Sequence, residues 1–352
     1  MQFRNSGISS RLVRLFSTLL FLSLLVPSLA LAGDDDKSAS SRALLSYLPA
    51  DSQFAAQVDV EKLRKSKYFK RAYNMLEEQA KDDEKLAELI SEDGFDIESD
   101  LSSVAIGLPV SRVSPNTGVN KGVFVMDGSF DEEKIRKLVK EEYDDLETRE
   151  IGDMTAFRLD ETEFGLPASN RLVITMGPES YRKKVWNLAR KGGKSFEKTA
   201  SDKNLLDGLE TDRTLWMVNL ITGSMRGPSS SAKSAAISVN LDSGLDLQVV
   251  SRVDDEAAAK EMVQRIGAMK KSAGENPMLS MFGAGPLVEN LKVENNKTSV
   301  VATTSMTESE LDYLVQKVQQ IAASQSTLSI PSSSGGAGKP TDNDGSKQTS
   351  DD

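Results

Sequence analysis

The chain has 352 residues, of which 38% are hydrophobic and 27% are charged, and its formal net charge is −10 at pH 7. This length and composition are typical of a soluble protein that could make two domains, and the acidic balance argues against nucleic acid as a partner. The chain contains no cysteine and no histidine. Disulfides, thiol chemistry, the usual zinc sites and histidine-dependent catalytic triads are therefore excluded, and we predict no cofactor and no metal.

The first 32 residues have the pattern of a secretory signal peptide. A positive region precedes an apolar run and a small-x-small cleavage site, namely Arg4, Arg11 and Arg14, residues 15–25, and Ala30-Leu31-Ala32. The apolar run is shorter than the ~20 residues of a bilayer span, which favours cleavage over a retained signal anchor. We expect a signal peptide at residues 1–32, a polar spacer at 33–42, and a mature protein with no stable membrane span.

An exported chain of this size without cysteine must depend on its apolar core, because no disulfide can stabilise it. This favours a bacterial protein, either periplasmic or secreted.

Residues 43–203 are predicted to form a first α+β module. It opens with a strand at residues 53–58, after which Asp59 caps a helix. The helical pattern continues as an insertion over residues 60–92, and alternating apolar residues at 104–108 predict the next strand.

A strand, a turn and a capped helix follow at residues 123–143. The apolar run at 123–126 predicts the strand, and Ser129 with Glu132 forms a capping box, after which apolar residues recur at helical spacing. The module is then completed by a hairpin around a Gly-Asp turn, a strand, a helix starting at Pro178 and a polar connection (residues 146–159, 171–176, 178 onward and 190–203).

Residues 204–323 are predicted to form a second α+β module with the same order of elements. These are a strand, a hairpin, a helix capped by Asp254, a second hairpin and a helix with a Thr307–Glu310 capping box (residues 214–221, 236–250, 254 onward, 287–305 and 307 onward). Residues 324–352 are rich in Ser, Gly and Asp, which predicts a disordered tail.

The two modules align without gaps inside each unit, which suggests an internal duplication of a ββα-ββα unit. Residues 123–139 match residues 247–263 at an offset of 124, and residues 181–188 match 311–318 at an offset of 130. Strands joined by tight hairpins are antiparallel. The predicted fold class is α+β, with helices packed on one face of either one long sheet or two half-domains.

Few residues of this chain suggest catalysis. Ser180 and Lys183 match the S-x-x-K pattern of penicillin-binding proteins and β-lactamases at a predicted helix start. The same pattern recurs at Ser195–Lys198 and at Ser230–Lys233, so it carries little information. Hydrolysis of cell-wall or acyl substrates by Ser180 and Lys183 is therefore only the alternative hypothesis.

One apolar stretch interrupts the polar loops. Residues 276–287 contain Met278, Leu279, Met281 and Phe282. If exposed, this stretch is a docking site for a protein, a peptide or a lipid; otherwise it closes one end of the sheet.

The start of the first module resembles that of exported bacterial proteins of unknown function. Leu48-Pro49-Ala50-Asp51-Ser52 precedes a predicted strand, Val58-Asp59 and a helix. Members of that family begin their mature domain with a leucine-proline-x-aspartate, strand, valine-aspartate, helix signature and continue with capped strand-helix units. The resemblance covers most of residues 43–323 by pattern and implies a cell-envelope location with no known catalysis.

The leading hypothesis is a non-enzymatic, exported bacterial envelope protein. We expect it to bind an envelope protein or a peptide through its sheet face or through the stretch containing Met278, Leu279, Met281 and Phe282.

Overall fold

The computed structural model describes residues 43–70, 99–109, 121–142, 146–220 and 232–326. Within these residues, twelve strands form one antiparallel sheet that is accompanied by helices. The α+β class is thus confirmed, and the sheet is continuous from one module to the other. The predicted signal peptide and spacer, most of the helical insertion and residues 327–352 lie outside the described residues.

The elements have the following bounds. The first half comprises a 3-10 helix Leu44–Tyr47, β1 Phe54–Asp59, α1 Val60–Lys65, β2 Leu101–Leu108, β3 Gly122–Gly128, α2 Glu132–Glu142, β4 Glu147–Ile151, β5 Met154–Leu159, β6 Thr162–Ala168, β7 Arg171–Met176, α3 Glu179–Lys191 and α4 Phe196–Asp202. The second half comprises β8 Leu215–Leu220, β9 Ala232–Asn240, β10 Gly244–Val253, α5 Glu256–Gly274, α6 Pro277–Met281, α7 Gly285–Glu289, β11 Lys292–Asn296, β12 Ser299–Thr307 and α8 Glu308–Ser326.

The two halves meet at the pairing of β1 with β8, in which Gln57 lies opposite Trp216 and Val58 opposite Leu215. The strand order is β11-β12-β10-β9-β8-β1-β2-β3-β7-β6-β5-β4. Counted outward from the central pair, the strands of the first half are β1-β2-β3-β7-β6 and those of the second half are β8-β9-β10-β12-β11. The two series pair in the same order, and β5 and β4 extend only the first half.

Apolar side chains cover both faces of the sheet. On β3, Phe124 and Met126 belong to one buried cluster, the first core, whereas Val123 and Val125 belong to another, the second core. Successive side chains of a strand point to opposite faces, so the two cores lie on opposite sides of the sheet. A sheet that is apolar on both faces requires a cover on each.

The prediction that the helices pack on one face is wrong. Val60 of α1, Ile135 of α2 and Leu311 of α8 pack in or against the first core. In contrast, Val185 and Trp186 of α3 belong to the second core, together with the 3-10 helix and α4. The sequence pattern shows that a helix has an apolar stripe but not which face of the sheet that stripe contacts.

The connection before α3 differs from the connection before α8. Thr307 ends β12 and leads directly into α8. Between β7 and α3 lie Gly177, whose φ of 118° favours glycine, and Pro178, which is extended. Helices α3 and α8, whose sequences align at an offset of 130, cover opposite faces of the sheet.

Several helix caps are as predicted. The Asp59 side chain accepts a hydrogen bond from the Lys62 amide at 2.9 Å, and the Thr307 amide donates to Glu310 Oε2 at 2.7 Å. The cap of α5 is Asp255, which accepts from the Ala258 amide, and not the adjacent Asp254.

The predicted capping box at Ser129 is wrong. The Ser129 amide donates to the Asp100 carbonyl at 2.7 Å, which keeps Ser129 beside β2. Asp131 caps α2 instead, because its Oδ1 accepts from the Glu133 and Lys134 amides at 2.9 and 3.0 Å.

Some boundaries also differ from the predictions. Residues 190–203 contain α4, with Phe196 completely buried, and β6 was not predicted. The helical insertion is interrupted at Ser66, whose backbone is extended, and residues 67–70 are helical again. At the other end, α8 includes residues 324–326, which had been assigned to the tail.

Two buried tyrosines provide a matched test of the packing. The Tyr181 hydroxyl is buried in the second core without a hydrogen-bond partner among the described residues. The Tyr68 hydroxyl donates to Asp312 Oδ1 at 2.8 Å. We expect Tyr181→Phe to raise the free energy of unfolding by about 1 kcal/mol and Tyr68→Phe to lower it by about 1.5 kcal/mol, as measured by urea denaturation.

The two buried tyrosines also predict that the folded protein loses stability at alkaline pH. Burial is the main cause that raises the pKa of both Tyr68 and Tyr181. The unfolded chain loses these protons near pH 10 while the folded protein retains them, so stability should fall as the pH rises above about 10. Tyr181→Phe should reduce this loss, and an unchanged alkaline slope would contradict the assignment.

Candidate functional site

Exposed apolar side chains gather on three helices of the second half. Within the described residues, the large hydrophobic side chains that are exposed are Met269 on α5, Met278 and Met281 on α6, and Tyr313 on α8. Their exposed fractions are 55%, 49%, 55% and 45%. We call these four residues the methionine surface.

The stretch at residues 276–287 folds into two short helices. The Asn276 side chain accepts from the Met278 amide at 3.0 Å and so begins α6. Gly283, with a φ of 79°, ends that turn, and the Ala284 amide donates back to the Leu279 carbonyl at 2.8 Å. This geometry turns the chain into α7.

The inner side of this stretch is anchored to the sheet. Ala284 and Leu287 pack against the first core, and Thr304 Oγ1 donates to the Leu287 carbonyl at 2.7 Å. Leu279 and Phe282 are half-buried. Each of the two interpretations of the sequence thus describes a different part of the stretch: its inner residues pack on the sheet, and Met278 and Met281 remain exposed.

The apolar stripe of α5 extends past its contacts with the sheet. Ala259 and Met262 are buried, and Ile266 packs against the same cluster. Met269 continues this stripe one turn later but is exposed. Lys270 Nζ donates to the Glu289 and Leu291 carbonyls at 3.0 and 2.6 Å, which holds this part of α5 beside the end of α7.

A cleft of about 380 Å³ lies between α7 and the first turns of α8. The Tyr313 ring forms part of one wall and closely approaches Gly283, where an added Cβ would lie 2.7 Å from Tyr313 Cδ1. The lining residues are Gly283, Gly285, Pro286, Glu289, Ser309, Glu310 and Tyr313.

The ionisable groups of the cleft are acidic apart from the tyrosine. Glu310 accepts hydrogen bonds from the Thr307 amide and hydroxyl, both at 2.7 Å. Glu289 is exposed and has no ion pair with any described residue. Lys317 Nζ lies 5.3 Å from the Tyr313 ring centroid, as a cation–π contact requires.

A second cavity, of about 280 Å³, lies between the 3-10 helix, the end of α3 and the start of α4. Ser195 lines it and caps α4, since its Oγ accepts from the Lys198 amide at 3.4 Å. Helix capping thus accounts for this second S-x-x-K match.

Ser180 and Lys183 lie on the exposed first turns of α3. Lys183 Nζ is 2.7 Å from Glu179 Oε1, and this hydrogen bond is the main cause that lowers the pKa of Glu179. Ser180 lines neither of the two cavities described above. The hydrolase alternative stays a prediction that this geometry does not favour.

The most buried charge of the described residues is Glu163 on β6. Its Oε1 lies 3.0 Å from Arg182 Nε and 3.1 Å from Arg149 Nη1, and its Oε2 accepts from Trp186 Nε1 at 2.7 Å. Arg182 is itself buried and donates to the Gly177 carbonyl at 2.5 Å. Because both oxygens of Glu163 are engaged by Arg182, Arg149 and Trp186, this network attaches α3 to the sheet.

Sequence reasoning missed two residues of the methionine surface and all of the Glu163 network. Tyr313 interrupts the polar face of α8, outside the apolar stripe that contains the buried Leu311 and Leu314, and an aromatic residue there was a usable signal. Met269 is on the apolar stripe of α5, so periodicity alone gives no sign that it is exposed. Glu163 lies on the strand that was not predicted.

Comparisons with known proteins show little similarity. No protein-family model and no curated protein matches the chain. Crystal form III of TP0453 is 9% identical with a TM-score of 0.45, covering 77% of this chain and 96% of that chain. Crystal form I is 8% identical with a TM-score of 0.41, covering 77% and 95%, and crystal form IV is 9% identical with a TM-score of 0.44, covering 78% and 96%.

The described residues contain neither a membrane-spanning helix nor a cluster of metal ligands. None of their helices has both the length and the apolar character needed to cross a bilayer. No three carboxylates of these residues converge in a group that could hold a metal ion.

Removal of the buried charge should loosen α3. Glu163→Gln leaves two guanidinium groups without their shared counter-charge, so we expect a loss of about 3–5 kcal/mol in the free energy of unfolding. Trp186 fluorescence should change as well, because its indole donates to Glu163.

Glu147→Gln is the matched control. It removes an exposed carboxylate 3.2 Å from Arg158 Nη1, and it should change stability by less than about 1 kcal/mol. Equal effects of the two substitutions would show that the Glu163 network does not hold α3.

Proposed function

We propose that this protein is an exported, non-enzymatic binding protein whose contact site is the methionine surface. The observation that carries the proposal is that the large exposed hydrophobic side chains of the described residues lie on α5, α6 and α8, where α6 contacts α5 and the Tyr313 ring lies beside Gly283, two residues after α6. Soluble proteins rarely expose a large contiguous apolar patch unless it serves an interaction. Most of the large apolar side chains that are buried among the described residues belong to the three clusters of the core.

The composition of this surface suits a peptide or protein partner. Methionine has a flexible, polarisable side chain that adapts to differently shaped apolar groups. Tyr313 adds a rigid ring, and such rings are enriched at protein interfaces. The proposed partner is accordingly a protein or peptide, and it is placed in the envelope because the resemblance at residues 48–59 implies that location.

The other route of binding, through the sheet face, has less support. Helices cover the first face, and the 3-10 helix, α3 and α4 cover much of the second face. On β12, next to the edge strand β11, the second face presents Thr303, which is half-buried, and Ser305, which is exposed. A solvated polar surface of this kind is ordinary and does not indicate a partner.

Export is proposed from residues 1–32. The positive region, the apolar run and the small-x-small site are the features that secretion and signal cleavage require. The proposed location is the periplasm or the exterior of a bacterial cell.

We also propose that the five-strand units β1-β2-β3-β7-β6 and β8-β9-β10-β12-β11 arose by duplication. Their equal order of pairings and the sequence match between β3 and β10 support this. The opposite packing faces of α3 and α8 argue against extending the duplication to those helices.

Export predicts a defined mature chain. When the full-length chain is expressed in a bacterium, intact mass measurement of the periplasmic fraction should show a protein that begins at Gly33. Recovery of the chain only from the cytoplasm with residues 1–32 intact would contradict export.

The contact site predicts a specific loss of binding. A double variant, Met278→Ser with Met281→Ser, removes apolar area without adding charge and leaves the half-buried Leu279 and Phe282 in place. We expect it to keep the melting temperature within about 2 °C and to lose at least about 80% of any partner crosslinked to the wild-type protein in an envelope extract.

Asn187→Ser is the control, because Asn187 is exposed on α3, on the second face of the sheet. Partner capture that is unaffected by the double variant would place the contact elsewhere. Turnover of a substrate by the purified protein would overturn the non-enzymatic assignment.

A further inference from the structure

We infer that the cleft between α7 and α8 binds a lysine or arginine side chain of an amphipathic partner peptide whose apolar side chains lie on the methionine surface. This inference rests on the proposed function and adds the charge of the partner. It depends on three features: the open cleft, its acidic lining and the adjacent exposed methionines.

The cleft has the shape and the lining for a long cationic side chain. Its volume of about 380 Å³ is enough for one such side chain with its bound water. Pro286 and the Tyr313 ring provide apolar walls for the methylene stem of lysine or arginine. Glu289 lies at the same cleft and can receive the charged head group.

Charge complementarity favours a basic partner. Glu289 is exposed and has no ion pair with a described residue, whereas Glu310 accepts the hydrogen bond that caps α8. No lysine or arginine lines the cleft. Two cations are placed next to lining residues: Lys317 lies over the Tyr313 ring, and Lys270 donates to the backbone carbonyl of Glu289, but neither forms an ion pair with the Glu289 carboxylate. An anionic head group would therefore meet two carboxylates.

The methionine surface gives this cleft an apolar neighbour. Met281 ends α6 two residues before Gly283, which contacts the Tyr313 ring at the cleft wall. A helical peptide can place an apolar side chain and a basic side chain one turn apart on one face, and so can contact both features at once.

The probe is a fluorescently labelled peptide of leucine and lysine, about 18 residues long, with leucines on one helical face. A peptide with glutamate in place of lysine is the matched comparison. Fluorescence anisotropy with the folded, full-length mature protein should show that the lysine peptide binds at least about tenfold more tightly. Raising the salt from about 0.05 M to about 0.5 M should reduce that difference.

Two variants test the cleft itself. Glu289→Gln should weaken binding of the lysine peptide by about two- to fivefold, and Glu289→Lys by about tenfold. Glu133→Gln, an exposed carboxylate on α2, removes the same charge elsewhere and should leave binding unchanged. Equal effects of Glu289→Gln and Glu133→Gln would show only a general charge effect and would overturn the inference.

The outcomes separate this inference from the proposed function. If both peptides bind equally and the double variant Met278→Ser with Met281→Ser abolishes binding, the surface is a binding site but the basic partner is wrong. If neither peptide binds and the wild-type protein self-associates through the same methionines, as measured by sedimentation, the occupant is a second copy of the chain. If the lysine peptide binds and the double variant has no effect on it, the proposed surface itself is wrong.

Discussion

Burial of both faces of a single antiparallel sheet is the constraint on which the rest of this structure depends. The central strands carry apolar side chains on each side, as Phe124 and Val125 of β3 illustrate. Burial of apolar area is the main favourable term in folding, so each face needs its own cover. Helices α1, α2, α5 and α8 cover the first face, and the 3-10 helix, α3 and α4 cover the second.

Polar contacts, as well as apolar packing, attach these helices to the sheet. On the second face, Glu163 joins Arg182, Arg149 and Trp186 beneath α3. On the first face, Lys67 and the Tyr68 hydroxyl contact Asp312 of α8, and Lys67 Nζ lies 2.6 Å from that carboxylate. The latter contacts connect the first half of the chain with its last helix. The two halves of the chain thus form one sheet, and residues of the first half contact the last helix on its first face.

The candidate site arises where this cover extends beyond the sheet. The stripe of α5 is buried at Ala259 and Met262, partly buried at Ile266 and exposed at Met269, while α6 presents Met278 and Met281 outward from an anchored α7. A rigid base with adaptable methionine side chains suits binding to an apolar segment. The acidic cleft beside Tyr313 adds a preference for positive charge, which follows from the same placement of α7 against α8.

The sequence by itself determined the local structure of this protein. Period-two and period-3.6 patterns, the Gly152-Asp153 turn and the Thr307–Glu310 cap depend on neighbouring residues, and all appear in the structure. The composition also indicated how little catalytic chemistry is available, since neither histidine nor cysteine is present. The apolar stretch containing Met278 was visible because it interrupts polar loops.

The tertiary structure alone decided which face each helix covers, which carboxylate is buried and which apolar residues remain exposed. Strand β6 was missed because Gly165 and Pro167 weaken a strand pattern, yet its pairing with β5 and β7 buries Glu163. Met262 and Met269 belong to one stripe of one helix, yet the first is buried in a cluster of the core and the second is exposed. Burial depends on contacts between residues distant in the chain, and local periodicity carries no information about them.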